Sequence, residues 1–356
     1  MKEQRKKIDS LDRKISSLLD ERAALVRKIG DIKKSGNTEV FVPSREREII
    51  NNILSVSSED GYPPESKISI FSEIFAASRA LQKKLRISYL GPEATFTHLA
   101  AEKKFSRACE YAPALSISQV FRDVEKGRSD YGVVPVENST EGAVSYTLDM
   151  FISSSCRICA EMLMEVSHSL LSKAERLDSV KTVYSHPQAI AQCRIWLEEN
   201  LEGVKYVEVS STAKAARMAS EDETSAAIAS VMAAELYGLG TLAEKIEDAV
   251  ENITRFFVIS KNIPESSGRD KTTIMFSVKD RVGVLHDMLL PFKKKNLNMT
   301  KIESRPSRAK AWEYVFFIDF LGHVSDPGVR EVLEELQKDC AFLKVVGSYP
   351  AADETL

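Results

Sequence analysis

Hydrophobic residues recur with three different periods along the chain. In residues 1–86 they return about every 3.6 positions, which is typical of amphipathic helices. The pattern predicts one helix of roughly 30 residues up to Gly36, a second after Pro43 with Ser44 as its N-cap, and a third after the break at residues 61–64. The first helix carries a clear apolar stripe made of Ile8, Leu11, Ile15, Leu18, Val26, Ile29 and Ile32.

Short β-rich runs alternate with helical patterns from residue 86 to about residue 260, which indicates an α/β domain. Runs at 86–91, 131–136 and 182–185 predict strands, and residues 263–268 are typical of a linker.

The last segment reads strand, helix, strand, strand, helix, strand, an order typical of a ferredoxin-like fold. The sequence therefore predicts a multidomain protein, with an all-α helical domain at 1–85, an α/β domain at 86–262 and an α+β βαββαβ domain at 269–350. In the last domain the predicted strands are 272–278, 299–304, 314–320 and 342–346, and the helices are 284–294 and 329–337.

Composition narrows the class of protein. Of 356 residues, 43% are hydrophobic and 28% are charged, which excludes a largely disordered or fibrous chain. A net charge of −3 gives no basic field for nucleic acid, and no apolar run is long enough to span a membrane. The charged first residues are not followed by an apolar run, so we expect no signal peptide. Five scattered cysteines fit a reducing cytosol, and we expect a cytoplasmic protein.

The sequence holds no motif for a metal or a cofactor. Cys156 and Cys159 form a lone C-x-x-C pair without the second pair that a zinc site needs. The glycines form neither a P-loop nor a dinucleotide fingerprint. We therefore expect no metal and no cofactor.

Polar groups interrupt the apolar faces of two predicted helices. Arg22 lies within the stripe of the first helix, and Lys33 follows about 16 Å further along and about 20° around. On the third helix, Ser78 and Gln82 share one face. Buried charges need partners, and a small anion bound between these side chains could supply them. The alternative is a helical dimerisation arm whose cations reach out to solvent.

In this arrangement the segment resembles the all-helical chorismate mutase domain of bifunctional enzymes. The resemblance implies a dicarboxylate site in which arginines clamp carboxylates, Lys33 and Gln82 flank the ether oxygen, and Ser78 supports a carboxylate. Glu46 would take the ring hydroxyl, and Val42 departs from the family because an acid often stands there. The matching positions are Arg5, Arg22, Lys33, Arg45, Glu46, Ser78 and Gln82.

The same resemblance implies an intertwined dimer. Arg5 and Arg22 are about 25 Å apart along one straight helix, so they cannot hold one small ligand from the same chain. The partner chain would supply Arg5.

Polar clusters stand at the ends of predicted strands in the α/β segment, where open sheets bind ligands. In order and spacing they resemble prephenate dehydratase over residues 86–262, and the Thr-Arg-Phe motif at 254–256 is that family's most specific mark. The resemblance implies two subdomains like those of a periplasmic binding protein, with Thr254 as the main catalytic residue. The cleft between them would be lined by Glu137, Asn138, Ser185, Gln188, Gln192, Ser211 and Thr212.

If residues 253–259 form a strand, Thr254 and Arg255 face opposite sides of it. Arg255 is then either structural or, if the strand end twists, a ligand for a carboxylate.

Two short motifs mark the last segment, Gly-Val-Leu-His at 283–286 and Glu-Ser-Arg-Pro at 303–306. A simple explanation is that the glycine forms a turn and the proline ends a strand. Both motifs resemble those of the ACT domains that bind phenylalanine at a dimer interface in prephenate dehydratases, although Val284 replaces the usual alanine. The expected effector residues are Gly283, Val284, Leu285, His286, Glu303, Ser304, Arg305 and Pro306.

Together the resemblances imply a bifunctional enzyme of phenylalanine biosynthesis that rearranges chorismate to prephenate and then decarboxylates and dehydrates prephenate to phenylpyruvate. They also imply feedback inhibition by phenylalanine and a homo-oligomer, at least a dimer. From charge and hydropathy we expect no nucleic-acid or membrane partner. Two alternatives remain open: an arogenate dehydratase, and a noncatalytic amino-acid sensor.

Overall fold

The computed structural model describes residues 1–36, 38–56, 61–140, 142–249, 252–278, 281–306 and 314–352. The helices in these ranges are α1 (Lys2–Gly36), α2 (Pro43–Ser55), α3 (Pro64–Gln82), α4 (Phe96–Phe105), α5 (Ile117–Glu125), α6 (Ser145–Ser153), α7 (Pro187–Gln192), α8 (Arg194–Asn200), α9 (Thr212–Ala219), α10 (Val231–Tyr237), α11 (Val284–Lys294) and α12 (Pro327–Asp339), with a 3₁₀ turn at Leu177–Ser179. The strands are β1 (Arg86–Leu90), β2 (Glu110–Ala114), β3 (Tyr131–Asn138), β4 (Gly142–Ala143), β5 (Arg157–Glu165), β6 (Ser169–Ser172), β7 (Thr182–Ser185), β8 (Lys205–Glu208), β9 (Ser225–Ala229), β10 (Gly240–Ala243), β11 (Ile253–Ser260), β12 (Asp270–Val278), β13 (Met299–Pro306), β14 (Tyr314–Leu321) and β15 (Cys340–Pro350).

Three helices form the N-terminal domain, as the 3.6-residue period predicts. The expectation that Ser44 caps the second helix is wrong. That helix begins at Pro43, whose fixed φ suits the first helical position, and Val42 occupies the cap position without a side-chain hydrogen bond. Ser44 is buried inside the first turn.

The helix α1 leaves its apolar stripe uncovered. Ile15, Leu18 and Ile32 are each more than half exposed, whereas Val26 is buried. Near Gly30 the helix packs closely against α3, because a Cβ at Gly30 would lie 3.0 Å from Gln82 Cγ. Among the described residues, only part of α1 therefore finds a packing partner.

The middle segment folds into two α/β subdomains. In the first, the strands lie in the order β5-β11-β3-β1-β2, and β11 pairs antiparallel with both β3 and β5. In the second, the order is β10-β6-β9-β7-β8. Loops that follow β1, β3 and β7 carry polar residues toward the space between the two sheets.

The C-terminal segment has the predicted βαββαβ order, and its strands lie in the order β13-β14-β12-β15. That is the antiparallel arrangement of a ferredoxin-like domain. Its sheet continues into the first subdomain, because β15 pairs with β5 at Gly347 and Ile158. Only glycine fits there, since a Cβ at Gly347 would lie 2.5 Å from the Ile158 carbonyl oxygen.

One hydrophobic core spans this junction. Phe151 of α6 and Phe257 of β11 are buried together with Phe317 of β14 and Tyr349 of β15, and the rings of Phe257 and Tyr349 lie 5.9 Å apart. The predicted fold class is confirmed: an all-α domain, a two-subdomain α/β domain and an α+β domain. In the described ranges no helix is both long and apolar enough to cross a membrane.

Candidate functional site

A cavity of about 490 Å³ lies between the two α/β subdomains. The first subdomain contributes the ends of β3 and β11, and the second contributes α7 and the start of α9. Among the residues expected to line a cleft, the structure brings six to this cavity: Asn138, Gln188, Gln192, Ser211, Thr212 and Thr254.

Thr254 and Asn138 are paired across β11 and β3. Asn138 Nδ2 donates to Thr254 Oγ1 at 2.8 Å and to Asn252 Oδ1 at 2.7 Å. Asn138 is itself oriented, since its Oδ1 accepts a hydrogen bond from the Thr140 amide at 3.0 Å. Because Thr254 Oγ1 is an acceptor in this contact, its O–H is available to donate to a group bound in the cavity that Thr254 lines.

His168 extends the polar network across the cavity. Gln192 Oε1 accepts from Asn252 Nδ2 at 3.3 Å and lies 2.8 Å from His168 Nε2. An acceptor oxygen requires His168 to donate from Nε2, so Nδ1 of the neutral ring carries the lone pair. Burial lowers the pKa of His168, opposed by the Gln192 hydrogen bond and by the nearby carboxylate of Glu247.

The side chain of Arg255 lies on the face of β11 opposite Thr254, as strand alternation predicts. Its Nε donates to Glu161 Oε2 at 2.7 Å and its Nη1 donates to Asp319 Oδ2 at 2.5 Å. Burial alone lowers the pKa of Arg255, but the charge of Asp319 and further contacts raise it well above the ordinary value. Arg255 is thus engaged in buried ion pairs away from the cavity.

Two expected cleft residues lie elsewhere. The hydroxyl of Ser185 is fully buried and donates to the Ile228 carbonyl at 2.8 Å, so it ties β7 to β9. Glu137 precedes Asn138 in β3 and therefore points to the other face, where it pairs with Lys301 of β13 at 2.8 Å. Glu137 and Asn138 are consecutive in β3, so only one of them can face the cavity. Strand alternation could therefore have told them apart in the sequence.

A second polar cluster lies between α1 and α3. Arg22 Nη1 donates to Ser78 Oγ, and Gln82 Nε2 donates to the Ser78 carbonyl at 3.3 Å. Gln82 Oε1 is buried without a hydrogen-bond partner among the described residues. Lys33 Nζ donates to the Glu39 carbonyl at 2.8 Å. The structure therefore brings Arg22, Ser78 and Gln82 together, whereas the hydrogen bonds of Lys33 go to the carbonyls of Glu39 and Val40.

Cations in this cluster are partly desolvated. Burial lowers the pKa of Arg22. Burial also lowers the pKa of Lys33, against the opposing charges of Glu39 and Glu46. A group of half-buried cations with an unpartnered amide oxygen is suited to a small anion that also carries a hydroxyl group, which can donate to that oxygen.

The remaining residues of the helical set are placed differently. The Glu46 carboxylate pairs with the buried guanidinium of Arg79 on α3, and Arg45 pairs with Glu48 at 2.5 Å on the exposed face of α2. Arg5 is exposed near the start of α1. Within one chain, Arg5 therefore stays apart from Arg22.

The two motifs of the C-terminal domain lie on α11 and β13. Gly283 precedes α11 with φ of +78°, a conformation that favours glycine, and Leu285 and His286 are exposed. Exposure alternates along β13, so Ser304 and Pro306 are exposed while Glu303 and Arg305 are half-buried. Val284 is half-buried in the first turn of α11.

Arg305 reaches the α/β domain. Its Nη1 donates to Ser145 Oγ at 2.6 Å, and its Nε donates to Asp149 Oδ1 at 3.3 Å. Both partners belong to α6, which follows directly on the cavity-lining residues Ala143 and Val144. In the described part of the chain, no hydrogen bond or ion pair joins the two motifs to each other.

Family comparisons match the chain in three consecutive parts. Residues 4–83 match chorismate mutase type II, residues 87–264 match prephenate dehydratase, and residues 272–337 match the ACT domain. A bifunctional chorismate mutase/prephenate dehydratase from Aquifex aeolicus is 49% identical over 99% of this chain and 98% of its own length. The chain belongs to the bifunctional chorismate mutase/prephenate dehydratase family. The two predicted enzyme activities are confirmed by these matches.

Two solved structures each resemble about three quarters of the chain. A prephenate dehydratase in complex with L-Phe from Arthrobacter aurescens is 36% identical, with a TM-score of 0.70 over 76% of this chain and 92% of that one. A protein described as a novel type of quorum quenching acylase is 29% identical, with a TM-score of 0.69 over 75% of this chain and 98% of that one. One of these structures is described as a dehydratase and the other as an acylase. The full-length match to bifunctional chorismate mutase/prephenate dehydratases favours the dehydratase.

Two residues of the polar network beside Thr254, Asn252 and His168, were not among the expected cleft residues. Asn252 lies two positions before Thr254, so strand alternation could have placed it on the same face. His168 belongs to no motif in the sequence, and only the pairing of β6 with β9 and β10 brings it to Gln192.

Proposed function

We propose that the chain converts chorismate to prephenate between α1 and α3, and prephenate to phenylpyruvate in the cavity that holds Thr254. The observation that carries this proposal is the hydrogen-bonded pair of Thr254 and Asn138 in a cavity between two subdomains. We also propose domain limits of 1–85, 86–262 and 269–350, and a cytoplasmic location, which the free cysteines support.

Catalysis in the mutase domain would rest on binding and charge. The rearrangement of chorismate is pericyclic, so it needs the folded conformer held and the breaking ether stabilised. Arg22 and Ser78 are already joined and would hold a carboxylate together. Lys33 and the Gln82 amide nitrogen would donate to the ether oxygen, and the unpartnered Gln82 Oε1 could accept a hydrogen bond from a hydroxyl of the ligand. Glu46 lies close enough to Lys33 to influence its charge.

Catalysis in the dehydratase domain would rest on a directed hydrogen bond. As the bond from the ring to the carboxylate breaks and carbon dioxide leaves, its electron pair moves into the ring and expels the ring hydroxyl. The hydrogen of Thr254 Oγ1 would stabilise that departing oxygen, because Asn138 Nδ2 already occupies a lone pair of Thr254. Gln188, Ser211 and Thr212 would contact the substrate carboxylates from the second subdomain.

The active form would be a homodimer or a larger homo-oligomer. Its support is the uncovered stripe of α1, where Leu11, Ile15 and Leu18 are each more than half exposed. The strand β13 also lies at the end of its sheet, where a second copy could pair with it. An intertwined dimer would bring Arg5 of one chain to Arg22 of the other.

Phenylalanine would bind at the ACT domain and inhibit the dehydratase. The support is the Arthrobacter aurescens relative, which is described in complex with L-Phe. The positive end of α11 near Gly283 would favour the carboxylate of the amino acid. Inhibition requires phenylalanine to bind two conformations with different affinity.

Turnover of purified protein tests these proposals. Chorismate alone and prephenate alone should each give phenylpyruvate, and phenylalanine should suppress its formation. Product from prephenate only would contradict the mutase assignment and point to Val42. No product from prephenate, with turnover of arogenate, would identify the alternative dehydratase. Inactivity toward all three would favour the amino-acid sensor.

A further inference from the structure

The Thr254 side of β11 faces the dehydratase cavity, and the Arg255 side faces the ACT domain. Arg255, Glu161 and Asp319 are each less than one-tenth exposed. Asp319 belongs to β14 of the ACT domain and lies 64 residues away from Arg255 in sequence. A buried charge of the catalytic strand is thus neutralised in part by the regulatory domain.

The pairing is closely satisfied on all sides. Arg255 Nη2 also donates to the hydroxyl of Tyr349 at 3.2 Å, and Thr273 Oγ1 donates to Asp319 Oδ1 at 2.7 Å. On the other side, Lys271 Nζ donates to Glu161 Oε1 at 2.8 Å. Two cations and two carboxylates therefore balance, and four of the five residues that join Arg255 in this network come from ACT strands β12, β14 and β15.

We propose, given the role of Thr254 proposed above, that Arg255 is a positioning residue whose ion pair with Asp319 makes the ACT domain part of the support for the dehydratase site. Thr254 is the next residue in the chain, and the register of β11 against β3 shifts just after Arg255. The ladder is thus interrupted on the β3 side just after Arg255, whereas on the other side β11 pairs regularly with β5 through Thr254 and Arg255. The buried guanidinium adds a side-chain anchor at the point where the β3 ladder is interrupted. A shift of about 1 Å at a catalytic group can lower the rate about 100-fold.

Asp319→Asn is the direct test in the full-length protein, because it removes a charge with little change in shape. We expect the kcat for prephenate to fall at least about tenfold with KM changed less than about twofold, since Thr254 is misplaced while the binding residues stay. Turnover of chorismate by the same protein should be unchanged and serves as an internal measure of folding.

Thr272→Val is the matched control. Thr272 is a buried neighbour in β12 whose hydroxyl contacts Ser348 at 2.7 Å on the opposite face of the same sheet. It should lower the melting temperature while both turnover rates per folded molecule stay at the wild-type value. An equal loss of dehydratase kcat in Thr272→Val would overturn the proposal, because general loosening of the ACT domain would then explain both results.

Tyr349→Phe provides a second variant if Asp319→Asn does not fold. It removes one hydroxyl from Arg255 and should lower kcat about threefold in the same way. A wild-type kcat in folded Asp319→Asn or Tyr349→Phe would refute the positioning role. Thr254→Ala, measured alongside, tests the proposed function separately: full activity in that variant would reject Thr254 as the catalytic residue.

Discussion

Arg305 of β13 donates a hydrogen bond to Ser145 Oγ at 2.6 Å, across the boundary between the ACT and dehydratase domains. Ser145 is the first residue of α6, and Val144 before it lines the dehydratase cavity. The expected effector motif is therefore one side chain away from the wall of the active-site cavity. A ligand that changes the position of Arg305 would act on α6 directly.

Replacing Arg305 with alanine should weaken inhibition by phenylalanine about tenfold or more while leaving the kcat for prephenate within about twofold. The reason is that the variant removes the link to Ser145 and Asp149 but touches no cavity residue. Inhibition curves at fixed prephenate measure the effect. Arg330→Ala on α12 is the control, since Arg330 is an exposed ACT cation that donates to the Ser325 carbonyl. Unchanged inhibition in Arg305→Ala would contradict the effector site.

Arg22→Ala should abolish turnover of chorismate and leave turnover of prephenate near normal. Arg22 donates to Ser78 between α1 and α3, and neither residue lines the dehydratase cavity. Its loss should therefore remove only the group that binds a chorismate carboxylate. Separate assays with the two substrates give the result, and Arg27→Ala, an exposed arginine of the same helix, is the control. Loss of both activities in Arg22→Ala would show that the domains depend on each other for folding.

Mixing two inactive variants tests whether the mutase site is shared between chains. Arg5→Ala and Arg22→Ala should each lack mutase activity alone. After the two are unfolded and refolded together, about a quarter of the wild-type activity should return, because half of the dimers are mixed and each mixed dimer rebuilds one intact site. Two variants of one position, Arg22→Ala and Arg22→Gln, should regain nothing when mixed. No recovery in the first mixture would refute the supply of Arg5 by a partner.

Acid should destabilise the dehydratase domain through His168. Burial lowers the pKa of His168 in the folded protein, so below a pH of about 6.5 the unfolded chain binds a proton that the folded chain does not. The stability that the neutral His168 ring contributes is therefore fully present at neutral pH and is lost as the pH falls. His168→Gln should show a shallower fall in melting temperature between about pH 7 and pH 5. The exposed His286→Gln should keep the wild-type slope, and equal slopes in all three proteins would contradict the assignment.

Local patterns were sufficient to predict the C-terminal domain. The helix α11 has the predicted bounds, and the strands β12 to β15 extend the predicted ranges at one or both ends. These elements are short, alternate cleanly and are separated by turn residues, so their periods are visible in one sequence. Strand alternation likewise predicted that the side chains of Thr254 and Arg255 point to opposite faces of the sheet.

Contacts between distant segments could not be predicted. No local signal links Arg255 to Asp319 or Glu137 to Lys301, because each pair forms only when two domains pack. The N-cap of α2 was also misjudged, since both Pro43 and Ser44 favour a helix start and the proline took the first position. Side-chain partners of buried charges depend on the whole fold, and one sequence records only the need for them.

The pairing of Gly347 with Ile158 also limits which ACT domains could be exchanged into this protein. The sheet continues across the domain boundary, so the two domains cannot be separated there without breaking strand pairing. An ACT domain from another enzyme could replace this one only if it had a glycine at the matching position and a strand of the right length. Chimeras joined in the linker at residues 263–268 would leave the edge of β5 uncovered and open to other chains. The regulatory unit that can be exchanged is therefore larger than the ACT domain.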